Sequence, residues 1–84
     1  LTAASYQRVL GANDRVQVIF ESGMEVGGTL RVFSLEGKLM EQRQLQMRRG
    51  TNSLDLELTD WKSGSYLVEL VTADGVLRQR LIRN

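Results

Sequence analysis

The chain contains no cysteine, no histidine and no proline. Without cysteine there are no disulfides and no thiolate nucleophiles. Without histidine there is no imidazole base, and nearly every zinc or transition-metal site is lost as well. An enzyme is therefore disfavoured from the outset, and no catalytic residue, metal site or cofactor is expected. The missing cysteine does not assign a reducing compartment, because a β-domain that packs adequately can live outside the cell without bridges. In the absence of proline, turns must rest on Gly, Asn, Asp and Ser, and no proline-rich linker divides the chain. Long apolar runs are missing too. None approaches the ~18 residues of a membrane-spanning helix, and no signal-peptide pattern opens the chain. The opening "LTAAS" reads as the middle of something longer.

What is present is ordinary in bulk and uneven in detail. Eighty-four residues, 42% of them hydrophobic and 25% charged, make one small globular domain. A chain of this length buries only roughly 60–65% of its unfolded surface, so there is room for one thin core. Residues 1–84 are expected to form a single unit, with 1–14 as a linker or a first strand. Net charge is +1. Residues 1–42 carry four basic and five acidic side chains, residues 43–75 again four and five, and residues 76–84 three and none. The positive excess is thus confined to the final segment.

Helical periodicity is weak, whereas period-two alternation recurs in short runs separated by glycine-containing turns. "RVQVIF" sets Val16, Val18 and Phe20 on one face. After a loop at "ESGMEVGG", "TLRVFSL" sets Leu30 and Val32 on one face and Arg31 and Phe33 on the other. Gly37 in "SLEGKL" supplies the positive φ that a tight hairpin needs. "KLMEQRQLQM" is long and polar, which predicts an edge strand anchored by Leu39 and Leu45 and protected by its charges. Gly50 turns the chain into "SLDLEL", where Leu54, Leu56 and Leu58 alternate with polar residues. "TDWKSG" leads into "SYLVELV", with Tyr66, Val68 and Leu70 facing the core. Asp74-Gly75 is the strongest local hairpin signal, joining that strand to "VLRQRLIR". About seven short strands without a helix predict an all-β, immunoglobulin-like antiparallel β-sandwich, whose strand order the pattern leaves open.

Candidate chemistry is thin. Asp55 and Glu57 would project from one face of a strand about 7 Å apart, near a glycosidase spacing. They read better as the solvent half of an alternating strand, since neither has a sequence reason to be buried. The six serines have no histidine to activate them, which leaves only a serine–lysine pair with Lys38 or Lys62. Gly27-Gly28 lacks the spacing of a phosphate loop and reads as a turn. "GAND" and "TADG" offer too few oxygens for calcium. Arg43, Arg48 and Arg49 lack the aromatic interleaving and basic stripe of a nucleic-acid surface, so no nucleic acid is expected. Trp61 either plugs one end of the sandwich or stands exposed as a sugar-stacking platform. Gly64 provides a backbone conformation, or a close approach, that a Cβ would obstruct. In the final strand, inward Leu77 and Leu81 would leave Val76, Arg78, Arg80 and Ile82 outward, two cations bracketed by two aliphatic side chains. Such a strand at a sheet edge can pair with another protein, a second copy included.

Several motifs occur in a telling order. "LRVFSLEGKLM" is followed by Gly50-Thr51-Asn52, the strand from Leu54 to Leu56, Gly64-Ser65-Tyr66 and Arg80-Leu81-Ile82-Arg83. Over roughly residues 28–84 this set resembles the type A C-terminal sorting domain of the type IX secretion system of Bacteroidetes. The chain departs from that pattern at "VLGANDRV", where a Pro-Asn-Pro-like segment is usual, at Ser34 and Ser65, and at Arg83-Asn84, where lysine is common. The resemblance implies an immunoglobulin-like sandwich acting as a secretion signal on an N-terminal cargo of the same chain. The cargo would transit the periplasm, meet the outer-membrane translocon and reach the cell surface or the medium. A sortase-like transpeptidase would cut upstream of the sandwich, near or before Leu1. The residues implied for recognition by the machinery are Gly64, Tyr66, Arg78, Arg80, Leu81, Ile82 and Arg83. The competing expectation is an accessory immunoglobulin-like module binding glycan or protein through Trp61.

Overall fold

The computed structural model describes residues 2–8, 14–73 and 75–83, with side chains described from residue 14 onward. The strands are β1 (Thr2–Arg8), β2 (Arg15–Ser22), β3 (Val26–Ser34), β4 (Leu39–Met47), β5 (Gly50–Glu57), β6 (Gly64–Thr72) and β7 (Gly75–Arg83). They form two antiparallel sheets, one ordered β1-β2-β5 and the other β4-β3-β6-β7. The all-β sandwich is thus as the alternation predicts, and the strand order is new. β4 and β7 are the two edges of the larger sheet. β1 runs near β7 but belongs to the other sheet.

Alternation explains the core. Val16, Val18 and Phe20 from β2 face Leu30 and Val32 from β3 and Tyr66, Val68 and Leu70 from β6, all buried. Leu56 and Leu58 close one side, and Met47 and Leu81 fill the layer near the two edges of the larger sheet. Each such burial contributes about 1.5–3 kcal/mol, which in a core this thin leaves little redundancy. Ser22 is the buried polar residue among those described, and its hydroxyl donates to the Met24 carbonyl at 2.7 Å, so its burial is satisfied.

Two expectations need correction. Gly27 and Gly28 are not turn residues, because β3 already begins at Val26. Gly28 stands on the core-facing side of that strand. A Cβ there would lie 2.8 Å from both Met47 Cε and Thr72 Cγ2 and 3.0 Å from the Val71 carbonyl. Glycine is required by close approach. Leu39 does not anchor β4. A register shift between Val32 and Phe33 pairs Val32 with Glu41 but Phe33 with Leu39. The extra residue, Met40, packs against the core, and Leu39 swings outward, 46% exposed. Leu45 and Met47 hold this strand instead.

Candidate functional site

The ordered motif residues build turns. Between β3 and β4, the Ser34 amide donates to the Lys38 carbonyl at 2.8 Å and the Gly37 amide to the Ser34 carbonyl at 3.0 Å, with Gly37 at φ +86°. In the Gly50-Thr51-Asn52 stretch, Asn52 Oδ1 accepts from the Arg48 amide at 3.0 Å. Its Nδ2 donates to the carbonyls of Arg48 at 2.8 Å and Gly50 at 3.1 Å. One asparagine side chain thereby staples the arch that carries the chain from one sheet to the other.

Gly64-Ser65-Tyr66 does the same before β6. Gly64 has φ +145° and no atom within 4 Å of a notional Cβ. Of the two reasons expected for this glycine, conformation holds and close approach does not. The buried Tyr66 donates its hydroxyl to the Lys62 carbonyl at 2.6 Å, and its ring lies 5.0 Å from that of Trp61. The bond ties a strand to the corner four residues upstream, as tyrosine corners do in immunoglobulin-like sandwiches. Half-buried Trp61 packs against Tyr66 and the core, so it plugs this end of the sandwich and is no open stacking platform.

β6 and β7 are continuously paired, from Gly64 opposite Arg83 to Thr72 opposite Gly75. Asp74 of the expected Asp-Gly turn lies outside the described residues. The seven residues implied for recognition divide by face. Tyr66 and Leu81 are in register and buried, Leu81 completely. Arg83 shares the inward side of β7 with Leu81 and is half-buried. Arg78, Arg80 and Ile82 point outward, as does Val76. Arg78 is opposite Glu69 and bonded to it at 3.2 Å, and Glu69 also faces Arg31 at 3.7 Å. Arg80 is opposite Leu67 and has no acidic partner among the described residues.

The inward turn of Arg83 has an electrostatic consequence at Asp14. That carboxyl is held below its usual pKa chiefly by the Thr59 hydroxyl, which donates to Oδ2 at 2.8 Å. Asp14's own backbone adds to this, and the Arg83 and Arg15 charges contribute less. Arg83 thus acts toward the neighbouring sheet, and Arg78 and Arg80 act toward solvent.

The other candidate groups are spent or dispersed. Asp55 and Glu57 are both exposed, and Glu57 is paired with Arg15 at 2.5 Å. Arg43 donates to the Asp55 carbonyl at 3.1 Å and to Glu41 at 3.0 Å, and Arg49 donates to the Gly23 carbonyl at 3.3 Å. Among the described residues no cluster of acidic side chains could hold a metal ion.

Sequence reasoning set Phe33 on the face away from Leu30 and Val32 but missed that half-buried Leu67 and exposed Leu39 join it there. The continuous "YLV" in "SYLVELV" carried the signal for Leu67, since an apolar residue on the polar parity of a one-sided sheet has to meet solvent. The bulge that turns Leu39 outward has no such mark.

The sandwich thus spends its motif residues on its own turns and sets the cations Arg78 and Arg80 of its last strand outward. The family model described as the secretion system C-terminal sorting domain matches residues 12–84, and the chain belongs to that family. It is a C-terminal sorting signal for type IX secretion, attached to a cargo that is exported to the cell surface or secreted. The family is not known for enzymes. No curated protein and no solved structure matches the chain.

Proposed function

We propose that the outer-membrane translocon of the type IX system reads this domain through the outward side of β7. Arg78, Arg80 and Ile82 are touched, and Gly64, Tyr66, Leu81 and Arg83 hold the strand in shape. The observation that carries this reading is the position of β7: it is an edge of the larger sheet, paired with β6 among the described residues, and it presents cations and aliphatic side chains outward. Residues 1–84 act as one unit in this account. The cargo passes through the periplasm first, and a sortase-like transpeptidase acts upstream of the sandwich.

The test is delivery of the full-length cargo in a secreting cell. Deleting residues 80–84 traps the cargo in the periplasm. Because that deletion also removes Leu81 from the core, it is paired with Arg78→Glu/Arg80→Glu, which alters only outward side chains. The double variant blocks delivery while keeping the thermal transition of the parent. Normal surface delivery of a folded double variant overturns the reading.

A further inference from the structure

The larger sheet has a second face, pointing away from the core, and its side chains fall into rows set by the strand register. One row runs Arg31, Glu69, Arg78, with Gln42 at its β4 end. It is electrostatically closed, since Glu69 is held between two guanidinium groups and Arg31 also donates to Gln42. The adjacent row runs Leu39, Phe33, Leu67, Arg80 across all four strands. Residues opposite one another in antiparallel strands have Cβ atoms about 4.5–5.5 Å apart, so this row is continuous. Ile82, 45% exposed, flanks it on β7. The bulge beside Phe33 completes the row by bringing Leu39 onto this face.

An arginine with no carboxylate partner among the described residues, at the end of three apolar side chains, has the composition of an interface core, where aromatic residues and arginine are enriched. Arg31, Arg78 and Arg80 against Glu69 give these two rows an excess of two positive charges. Two copies meeting through this face would oppose like charges. A partner with a carboxylate set among apolar side chains meets both demands.

We infer that the recognition surface is wider than β7. It is the outer face of the β4-β3-β6-β7 sheet, centred on Phe33, Leu67 and Arg80, and it docks on an acidic, apolar protein surface of the secretion machinery whose carboxylate pairs with Arg80. This rests on the reading of β7 as the presented strand. It adds three strands, β4, β3 and β6, that carry none of the terminal basic residues.

In the full-length cargo, Phe33→Ser/Leu67→Thr changes outward side chains only and lowers surface delivery about tenfold or more, with the thermal transition kept within a few degrees. If this variant is delivered normally while Arg80→Glu is blocked, β7 alone is read and the wider surface is overturned. If both are delivered normally, the β7 reading fails as well. A benzophenone side chain at position 67, photolysed in secreting cells, identifies what lies over the face. The expected product is a translocon segment bearing Asp or Glu among apolar residues, and replacing that acid by lysine restores delivery of Arg80→Glu. Cross-linking to a second copy of this chain, or failure of that charge swap, overturns the inference. Should the Phe33/Leu67 variant be unfolded, Leu67→Thr alone carries the same comparison.

Discussion

The two edges of the larger sheet, β4 and β7, are of equal length and solve the exposed-edge problem differently. β4 turns Gln42, Gln44 and Gln46 to solvent and ties its edge to the other sheet, with Arg43 donating to the Asp55 carbonyl and Asn52 fastening the arch that follows. On that outer face Gln44 accepts from the Thr29 hydroxyl and Gln42 from Arg31, both of β3. β7 keeps Leu81 inside and sets Arg78, Arg80 and Ile82 outside, with β1 of the other sheet running near it. An unpaired edge invites association, and proteins usually blunt it with charge or cover. Here one edge is tied to the other sheet through an arginine, and the other carries the surplus positive charge.

The comparison breaks most readily through the core. Leu81→Ala removes the fully buried anchor of β7 and costs about 2–5 kcal/mol, read as a lowered urea midpoint of the domain. An effect under 1 kcal/mol would mean that β7 is held by its backbone pairing alone. A smaller difference separates the arginines of the two edges. Arg43→Ala loses the hydrogen bond between the sheets and destabilises by about 1 kcal/mol. Arg80→Ala, outward and without an acidic partner among the described residues, stays within about 0.5 kcal/mol in the same measurement. Equal costs for the two would remove the distinction between a fastened edge and a presented one.

The smallest effect separates the arginines within β7. Since the Arg83 charge helps depress the Asp14 pKa, Arg83→Gln raises that pKa in an NMR titration, and Arg78→Gln and Arg80→Gln leave it in place. The sign for stability follows from the depressed folded value. Asp14 contributes stability at pH above its ordinary unfolded pKa, and the contribution disappears as pH falls through the lower folded one. With Arg83 neutralised, the contribution is smaller and its loss is complete at a higher pH. A shift of Asp14 on neutralising Arg80 instead would put the wrong arginine on the inward side.

Much of this arrangement was legible in the residues. The alternation in "RVQVIF" and "SYLVELV" placed Val16, Val18, Phe20, Tyr66, Val68 and Leu70 in the core, because one-sided burial selects every second residue. The inward Leu81 and outward Arg78, Arg80 and Ile82 followed by the same reasoning. Gly27-Gly28 misled because glycine marks both turns and tight packing, and only the position of Met47 and Thr72 tells which applies. Leu39 misled because one bulged residue inverts the parity of everything beyond it.

By itself, then, the sequence determined the class of fold, the main core faces and the basic strand that ends the match to the sorting-domain family. Local alternation and turn chemistry suffice for these, since both act over a few residues. The tertiary structure alone decided the order of the strands and that β4, already read as an edge from its polarity, is fastened to the other sheet. It also turned Arg83 toward Asp14, and it set Leu39, Phe33, Leu67 and Arg80 side by side. Those are consequences of register between strands far apart in the chain, and a side chain's cross-strand neighbour is written nowhere in its own segment.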